Sequence, residues 1–345
     1  PGTWTEACLR QADRVLLTVQ TAPALEQLGE RSLLIGSDVV LLGPHGDAGT
    51  DRLLRALEPR TTYRVRDGAR RRADIAAVAR RLAGRSVGLV LSGGGARCFS
   101  QIGVIEELQA CGVRIDRIAG ASMGAFIGAL LAQELDPAEI DARCYEEWVR
   151  RNPLGDWRLP RTSLLRGERA RVMLERNLPG AIEDLPRGFF CVSVDIIAAE
   201  VVQHRRGPLA LQVGASMALP VFAPPVVHEG RLLLDGALMD NLPSEAMAAD
   251  REGPIIAVDA TEPSIRTLPA GTDPPVPSLM ETLYKVMLLS ESDSDRRRSF
   301  ADLLIRPDYE DIGILEFHML DRMRDAGRRA AAAALSDAPS SVLSP

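Results

Sequence analysis

Lysine is almost absent from this chain of 345 residues: Lys285 stands alone, and arginine carries the rest of the basic charge. That bias reads as genomic base composition rather than as a functional demand, although arginine keeps its charge and its phosphate-matching geometry wherever it sits. No Lys/Arg-rich tail is present. With a net charge of -6 and a pI near 5.5, the chain as a whole lacks the basic balance that would favour nucleic acid. Cysteine offers no framework either. Cys8, Cys98, Cys111, Cys144 and Cys191 are odd in number and form no C-x-x-C pair, so reduced thiols and a cytoplasmic setting are expected. The N-terminus lacks the charged, apolar and small-residue order of a signal peptide. It opens on Pro1 rather than Met, and a piece of a longer protein is expected. A long apolar run is missing too. The longest nearly apolar stretch, 121–132, falls well short of the roughly 20 helical residues that span a bilayer, so any membrane contact is expected to be peripheral.

What is present fits an ordinary globular protein. Hydrophobic residues make up 46% and charged residues 26%, which excludes a disordered chain or a fibre. The length allows one large α/β domain with an accessory segment, or two modest domains. Residues 1–84 read as a small α/β segment with a linker: apolar runs at 15–19 and 39–42 are separated by a helix-like stretch, 23–31. Gly43, Pro44 and Gly46 mark a turn. A helix is expected over 73–83, with Ile75, Val78 and Leu82 on one face and Gly84 closing it.

From Val87 the rhythm changes. The run GLVLSGGGAR leads an apolar strand into a glycine loop, and a helix-like stretch follows at 101–110. A second strand, 113–119, meets GASMG and another apolar helix. Strand, loop, helix, strand, turn, helix is the pattern of a parallel sheet covered on both faces. Further strands are expected at 189–194, 232–234 and 255–258. Prolines mark a linker or surface loop over 263–277. A helix follows at 319–335, and the last ten residues are expected to fray. No internal repeat is visible.

The spacing G-x-S-x-G at Gly120, Ser122 and Gly124 arises by chance in roughly one chain in ten of this length. Its context adds weight. A serine exposed on a sharp strand-to-helix turn needs small residues two before and two after it, because side chains there would clash with the tight backbone. The helix N-terminus behind it favours an alkoxide. The bland alternative is a serine N-cap between glycines. The glycines Gly93, Gly94 and Gly95 follow a strand of their own. A P-loop would need a lysine that is missing, and a dinucleotide fingerprint would need glycine where Cys98 stands. An oxyanion loop remains, with unobstructed backbone N–H groups and Arg97 nearby, beside the plainer reading of a tight turn.

A nucleophilic serine needs a base, and histidine is scarce. Of His45, His204, His228 and His318, only His318 follows late enough in the chain to close a triad with Asp235. Asp235 itself ends an apolar strand and opens DGALMDNLP. Close to Ser122 it could take the proton directly, although a carboxylate of ordinary pKa near 4 is a poor base. An isolated Asp-Gly could equally be an Asx-turn.

GGGAR before a helix, GASMG after a strand and DGA far downstream together resemble the patatin-like phospholipases, and within them the neuropathy-target-esterase-like, lysophospholipase branch. The likeness extends through GLVLSGGGARCFSQIGVIEEL, GVRIDRIAGASMGAFIGALLA, ASMALPVFAPPVVHEGRLLLDGALMDNLP and IIAVDA. It implies a three-layer α/β/α fold with a mostly parallel central sheet, a catalytic core over 85–262, and a C-terminal extension over 263–345 whose helix packs on the core. The resemblance makes Ser122 the nucleophile, Asp235 the general base, Gly120 and Gly124 the elbow glycines, and Gly93, Gly94 and Gly95 with Arg97 the oxyanion loop. It implies a phospholipid or lysophospholipid substrate, no metal or organic cofactor, and a cyclic-nucleotide-binding-like domain upstream in the full-length protein. Three departures stand out. Ser92 occupies the place of a fourth glycine, Cys98 that of a glycine after the arginine, and Ser100–Gln101 that of Ala–His. A side chain at Cys98 could narrow the oxyanion loop or alter its φ. That leaves a rival, a non-catalytic lipid-binding or regulatory module, beside other acyl hydrolases such as a triacylglycerol lipase, a thioesterase or an acyltransferase. GASMA at 214–218 is a decoy, since Ala218 and Pro220 do not suit an elbow. Ser216, Asp116, Asp195, Asp240 and Asn241 read as scaffolding.

Overall fold

The computed structural model describes residues 3–21, 31–44, 48–159, 161–261, 276–277, 279–289, 294–309, 312–338 and 342. Most of the expected helix at 23–31, His45, Gly46 and nearly all of the proline-rich stretch at 263–277 lie outside them, as do most of the last ten residues. The chain divides into two compact units, one ending at Leu82 and the other starting at Ala83.

The first unit contains α1 (Thr3–Gln11), β1 (Leu16–Val19), β2 (Asp38–Leu42), α2 (Ala48–Leu57), β3 (Thr61–Val65) and α3 (Arg71–Leu82). Its three strands pair in parallel in the order β1-β2-β3. The period of two along β2 sends Val39 and Leu41 to one cluster, with Leu53 and Leu57 of α2, and Val40 to another with Tyr63 and Val65. Asp38, at the start of β2, is buried and receives the guanidinium groups of both Arg14 and Arg60 at 2.9 Å. Burial of a lone carboxylate would be costly, and the two arginines offset that cost.

The second unit opens with β4 (Val87–Leu91), α4 (Ser100–Ala110), β5 (Ile115–Ala121), α5 (Ser122–Ala132), α6 (Pro137–Cys144) and α7 (Glu168–Asn177). It continues through β6 (Gly188–Asp195), β7 (Glu200–His204), α8 (Leu209–Ser216), β8 (Val226–His228), β9 (Arg231–Asp235), α9 (Ser244–Ala249) and β10 (Ile255–Val258). It closes with α10 (Leu279–Leu289), α11 (Ser294–Arg298), β11 (Leu303–Ile305) and α12 (Leu320–Ser336). The sheet order is β11-β10-β4-β5-β6-β9-β8, with β7 paired to β6. Pairing is parallel from β11 to β6 and antiparallel beyond it. This is the mostly parallel central sheet that the sequence led one to expect.

Alternation again divides the strands between two cores. Leu89, Leu91, Ile118, Cys191, Ile256 and Val258 join the larger cluster with α4, α5 and α12, whereas Val90, Ala119, Val192, Ile255 and Ala257 join the smaller one with Met247 of α9. A parallel sheet buried on both faces reads as continuous apolar runs, which is why VGLVL and IIAV were legible as strands. Helix α5 is apolar all round because the sheet and neighbouring helices enclose it; every residue from Met123 to Ala132 is buried. Each fully buried leucine, isoleucine or phenylalanine stabilises such a core by about 1.5–3 kcal/mol. Helices α4 and α12 cross on two glycines. A Cβ on Gly103 would stand 1.9 Å from the Arg324 carbonyl oxygen, and one on Gly327 1.8 Å from that of Ser100. Among the described residues no helix is long and apolar enough to cross a membrane.

Candidate active site

Strand β5 ends on Ala121 in extended conformation, and the next residue, Ser122, takes φ = +51° before α5 begins. A non-glycine residue in the left-handed region costs about 1–3 kcal/mol and persists only where the surroundings enforce it. The elbow glycines make room for that turn. A Cβ on Gly120 would meet the backbone of Gly124 and Ala125 at 2.7 Å, and one on Gly124 would meet the carbonyl oxygens of Leu91 and Ser92 at 2.5 and 2.4 Å. Ser122 keeps partial exposure while its neighbours in α5 are buried. Its backbone N–H donates to Ser216 Oγ at 2.9 Å.

Asp235 is brought to the same place by the antiparallel turn of the sheet. Strand β9 pairs with β6 so that Asp235 lies opposite Ser193, and its backbone N–H donates to the Ala218 carbonyl at 3.0 Å. The following glycine is required: a Cβ on Gly236 would stand 2.4 Å from the Val192 carbonyl oxygen. Ser122 Oγ donates to Asp235 Oδ2 at 2.7 Å, and the Ala237 N–H donates to Oδ1 at 2.9 Å. Asp235 is 1% exposed. Loss of hydration pushes its carboxyl up to about 7, against the opposing pull of the Ala237 N–H and the Ser122 hydroxyl. The carboxylate thereby acquires the basicity that an ordinary aspartate lacks.

The glycine loop lies against this pair. A Cβ on Gly93 would stand 2.8 Å from Ser122 Cβ, and the Gly93 N–H is taken by Asn241 Oδ1 at 3.0 Å. Among the described residues the N–H groups of Gly94 and Gly95 have no acceptor. Gly95 has φ = +58° and lies so close to Ile314 that a Cβ would stand 2.2 Å from its carbonyl oxygen. Ala96 N–H donates to that same oxygen at 2.8 Å. Arg97, expected to add charge to the loop, is buried; its Nε donates to the Ile312 carbonyl at 2.8 Å, and its guanidinium lies 5.9 Å from the centre of the Tyr309 ring. These contacts make it a strut for Tyr309 and Ile312.

Cys98 does not press on the open side of the loop. Its side chain is fully buried, its thiol reaches the Ser92 carbonyl at 3.4 Å, and burial raises its pKa well above the usual thiol range. Ser92 and Gln101 are ties as well. Ser92 Oγ accepts from Ala260 N–H at 2.7 Å, and Gln101 Nε2 donates to the Ser92 carbonyl at 2.7 Å. Among the described residues no histidine hydrogen-bonds to Ser122 or Asp235; His204 is held by Ser193 Oγ at 2.7 Å with its pKa lowered to about 4 by burial, and His228 reaches Gln212. Ser216, Asn241 and Ile314 matter more than their sequence contexts suggested. Ser216 in GASMA and Asn241 in DNLP were readable as polar residues in tight segments, but nothing local reveals what they hold.

Residues 89–248 match the family model described as patatin-like phospholipase. The chain is 40% identical over 286 residues to an uncharacterized NTE family protein of Mycobacterium tuberculosis, an alignment covering 77% of this chain and 49% of that one. It is 33% identical over 297 residues to patatin-like phospholipase domain-containing protein 6 of Homo sapiens, covering 74% and 22% of the two chains. It is also 33% identical over 281 residues to lysophospholipase nte1 of Aspergillus niger, covering 74% and 18%. The chain thus spans about half the length of the mycobacterial relative and about a fifth of the other two.

Proposed function

This chain carries a patatin-like phospholipase domain, and on that premise we propose that it is a serine esterase hydrolysing acyl esters of phospholipids or lysophospholipids. Ser122 Oγ attacks the ester carbonyl while Asp235 takes its proton. The N–H groups of Gly94 and Gly95 receive the developing oxyanion. Collapse of the tetrahedral intermediate expels the lipid alcohol, which leaves with the proton from Asp235, and an acyl-Ser122 remains. Water then attacks the acyl group as Asp235 again accepts a proton; the bond from Ser122 Oγ to the acyl carbon breaks, Asp235 returns the proton to Oγ, and the fatty acid departs.

The observation that carries this reading is the 2.7 Å hydrogen bond from Ser122 Oγ to a carboxylate that is buried and pushed up to about 7. A weak base becomes competent when desolvation raises its proton affinity and the donor is already aligned. The strained backbone of Ser122 supports it, since strain of this kind gathers at reacting groups. The names of the relatives agree with a phospholipid ester as substrate. The non-catalytic rival rested on Ser92 and Cys98, and both side chains are engaged with backbone groups behind the loop.

A fluorophosphonate probe tests the assignment. The parent protein should label, and Ser122→Ala should lose both the label and the hydrolysis of lysophosphatidylcholine by at least about 1,000-fold, the scale on which nucleophile removal acts. Labelling of Ser122→Ala at the parent rate would overturn it.

A further inference from the structure

Next to the reacting pair stands a short hairpin with unusual side chains on its outer surface. Trp157 pairs with Leu165 in an antiparallel bridge, Arg158 N–H donates to the Leu164 carbonyl at 2.9 Å, and Arg166 N–H to that of Asp156 at 3.0 Å. Two further bonds tie the hairpin to the 219–222 turn, from Leu164 N–H to Val221 at 2.7 Å and from Leu165 N–H to Phe222 at 2.9 Å. The Trp157 ring meets Phe222 edge-on at 6.1 Å. Three residues before Val221, the carbonyl of Ala218 holds the N–H of Asp235. The hairpin is therefore anchored a few residues from the base.

Its inner side chains are buried, with Leu165 at 3% and Phe222 at 6% exposure, whereas Trp157 is 59% exposed, Leu159 89% and Val221 52%. Val221 is held outward at φ = +70°, a conformation that β-branched residues seldom adopt. The charge around this apolar rim is lopsided. Residues 150–171 contain seven arginines against two carboxylates, Asp156 and Glu168, in a chain whose net charge is -6; Arg150 and Arg151 are paired with Glu146, and Arg171 also with Glu175, just outside this stretch. The overall acidity thus conceals a basic stretch. Glu168 is paired with Arg171, and Asp156 accepts the backbone N–H of Arg169. The exposed Arg161, Arg166 and Arg169 have no ion pair among the described residues.

We propose that this hairpin is the surface by which the protein docks on an anionic phospholipid bilayer. A tryptophan, a protruding leucine and unpaired arginines match the three layers of a membrane face. Tryptophan favours the headgroup level, leucine the acyl boundary, and arginine the phosphates and anionic headgroups. Docking here would hold the Ser122–Asp235 pair next to its lipid. The inference rests on the esterase reading for its purpose, but not for its test.

The test uses Ser122→Ala protein, which cannot turn lipid over, and sedimentation with vesicles of phosphatidylcholine alone or mixed with phosphatidylglycerol. It should sediment with the mixed vesicles, less so as salt is raised, and poorly with phosphatidylcholine alone. Combining Arg161→Gln with Arg166→Gln should weaken binding to the mixed vesicles roughly 30-fold, at about fivefold per arginine. Leu159→Asp should weaken it as well. In the otherwise unmodified protein, the arginine pair of substitutions should leave cleavage of a soluble short-chain ester unchanged and slow cleavage of vesicle phospholipid. Failure of the Ser122→Ala protein to sediment with anionic vesicles, or sedimentation unaffected by these substitutions, would overturn the proposal. Vesicle binding that follows this pattern in a protein that takes no fluorophosphonate would uphold the docking surface and sink the esterase.

Discussion

At Asp235 one environment serves two opposing ends. Burial raises the carboxyl from 3.8 to about 7, so between those values the folded protein holds a proton that the unfolded chain has released. Its contribution to stability is therefore fullest below pH 4 and is lost as pH rises through 7. At 1.36 kcal/mol per pH unit the loss reaches up to about 4 kcal/mol. Asp235→Asn removes that charge and should melt higher than the parent at pH 8, with the gap closing toward pH 4; a melting difference that ignores pH would refute the linkage. Activity runs the other way. In the proposed mechanism Asp235 must be ionised to take the proton, so kcat/KM for a soluble ester should fall about tenfold per pH unit below 7 and level off above it. A profile that stays flat down to pH 5 would remove Asp235 as the base. Ser122 was legible in the sequence for a simple reason: an elbow cannot tolerate Cβ atoms at positions 120 and 124, so the constraint is written as two glycines.

Elements supply what single residues cannot. The glycine loop is shaped from behind by Ile312, Ile314 and α12, the last through the crossing of Gly327 over Ser100. Gly327→Ala would force its Cβ to within 1.8 Å of the Ser100 carbonyl unless the helices part. Overpacking of this kind costs about 1–3 kcal/mol. Because Ser100 directly follows the loop, the variant should also label more slowly with fluorophosphonate at a temperature where it is still folded. Arg328→Ala breaks only exposed ion pairs, with Glu106 and with Asp325, and should cost less than about 1 kcal/mol with labelling intact. Equal labelling of the two variants would show that α12 does not position the loop. The helix at 319–335 was visible from its pattern, but its seat against α4 was not. Two glycines far apart in the chain reveal a close crossing only once their backbones are brought together.

On the scale of the whole molecule, each unit has a core of its own. Leu53 is fully buried among Val39, Leu41 and Leu57 in the first unit, and Leu53→Ala should destabilise that unit by about 2–5 kcal/mol. Hydrogen exchange should then accelerate in β1–β3 and not in β4–β6, with fluorophosphonate labelling at 25 °C unchanged. Faster exchange in β4–β6 would show that the two cores do not unfold separately. By itself the sequence determined the features that depend on neighbours in the chain: buried strands as continuous apolar runs, the elbow as G-x-S-x-G, the carboxylate at a strand end, and the scarcity of histidine that turned attention to it. Only the tertiary structure decided which long-range partners meet. Ser216 lies 94 residues from the backbone N–H it holds, and Asn241 lies 148 residues from Gly93. Hydrogen bonds act over about 3 Å, so sheet order rather than sequence spacing selects their partners. The burial that raises the Asp235 carboxyl to about 7 likewise arises from residues drawn together across the second unit.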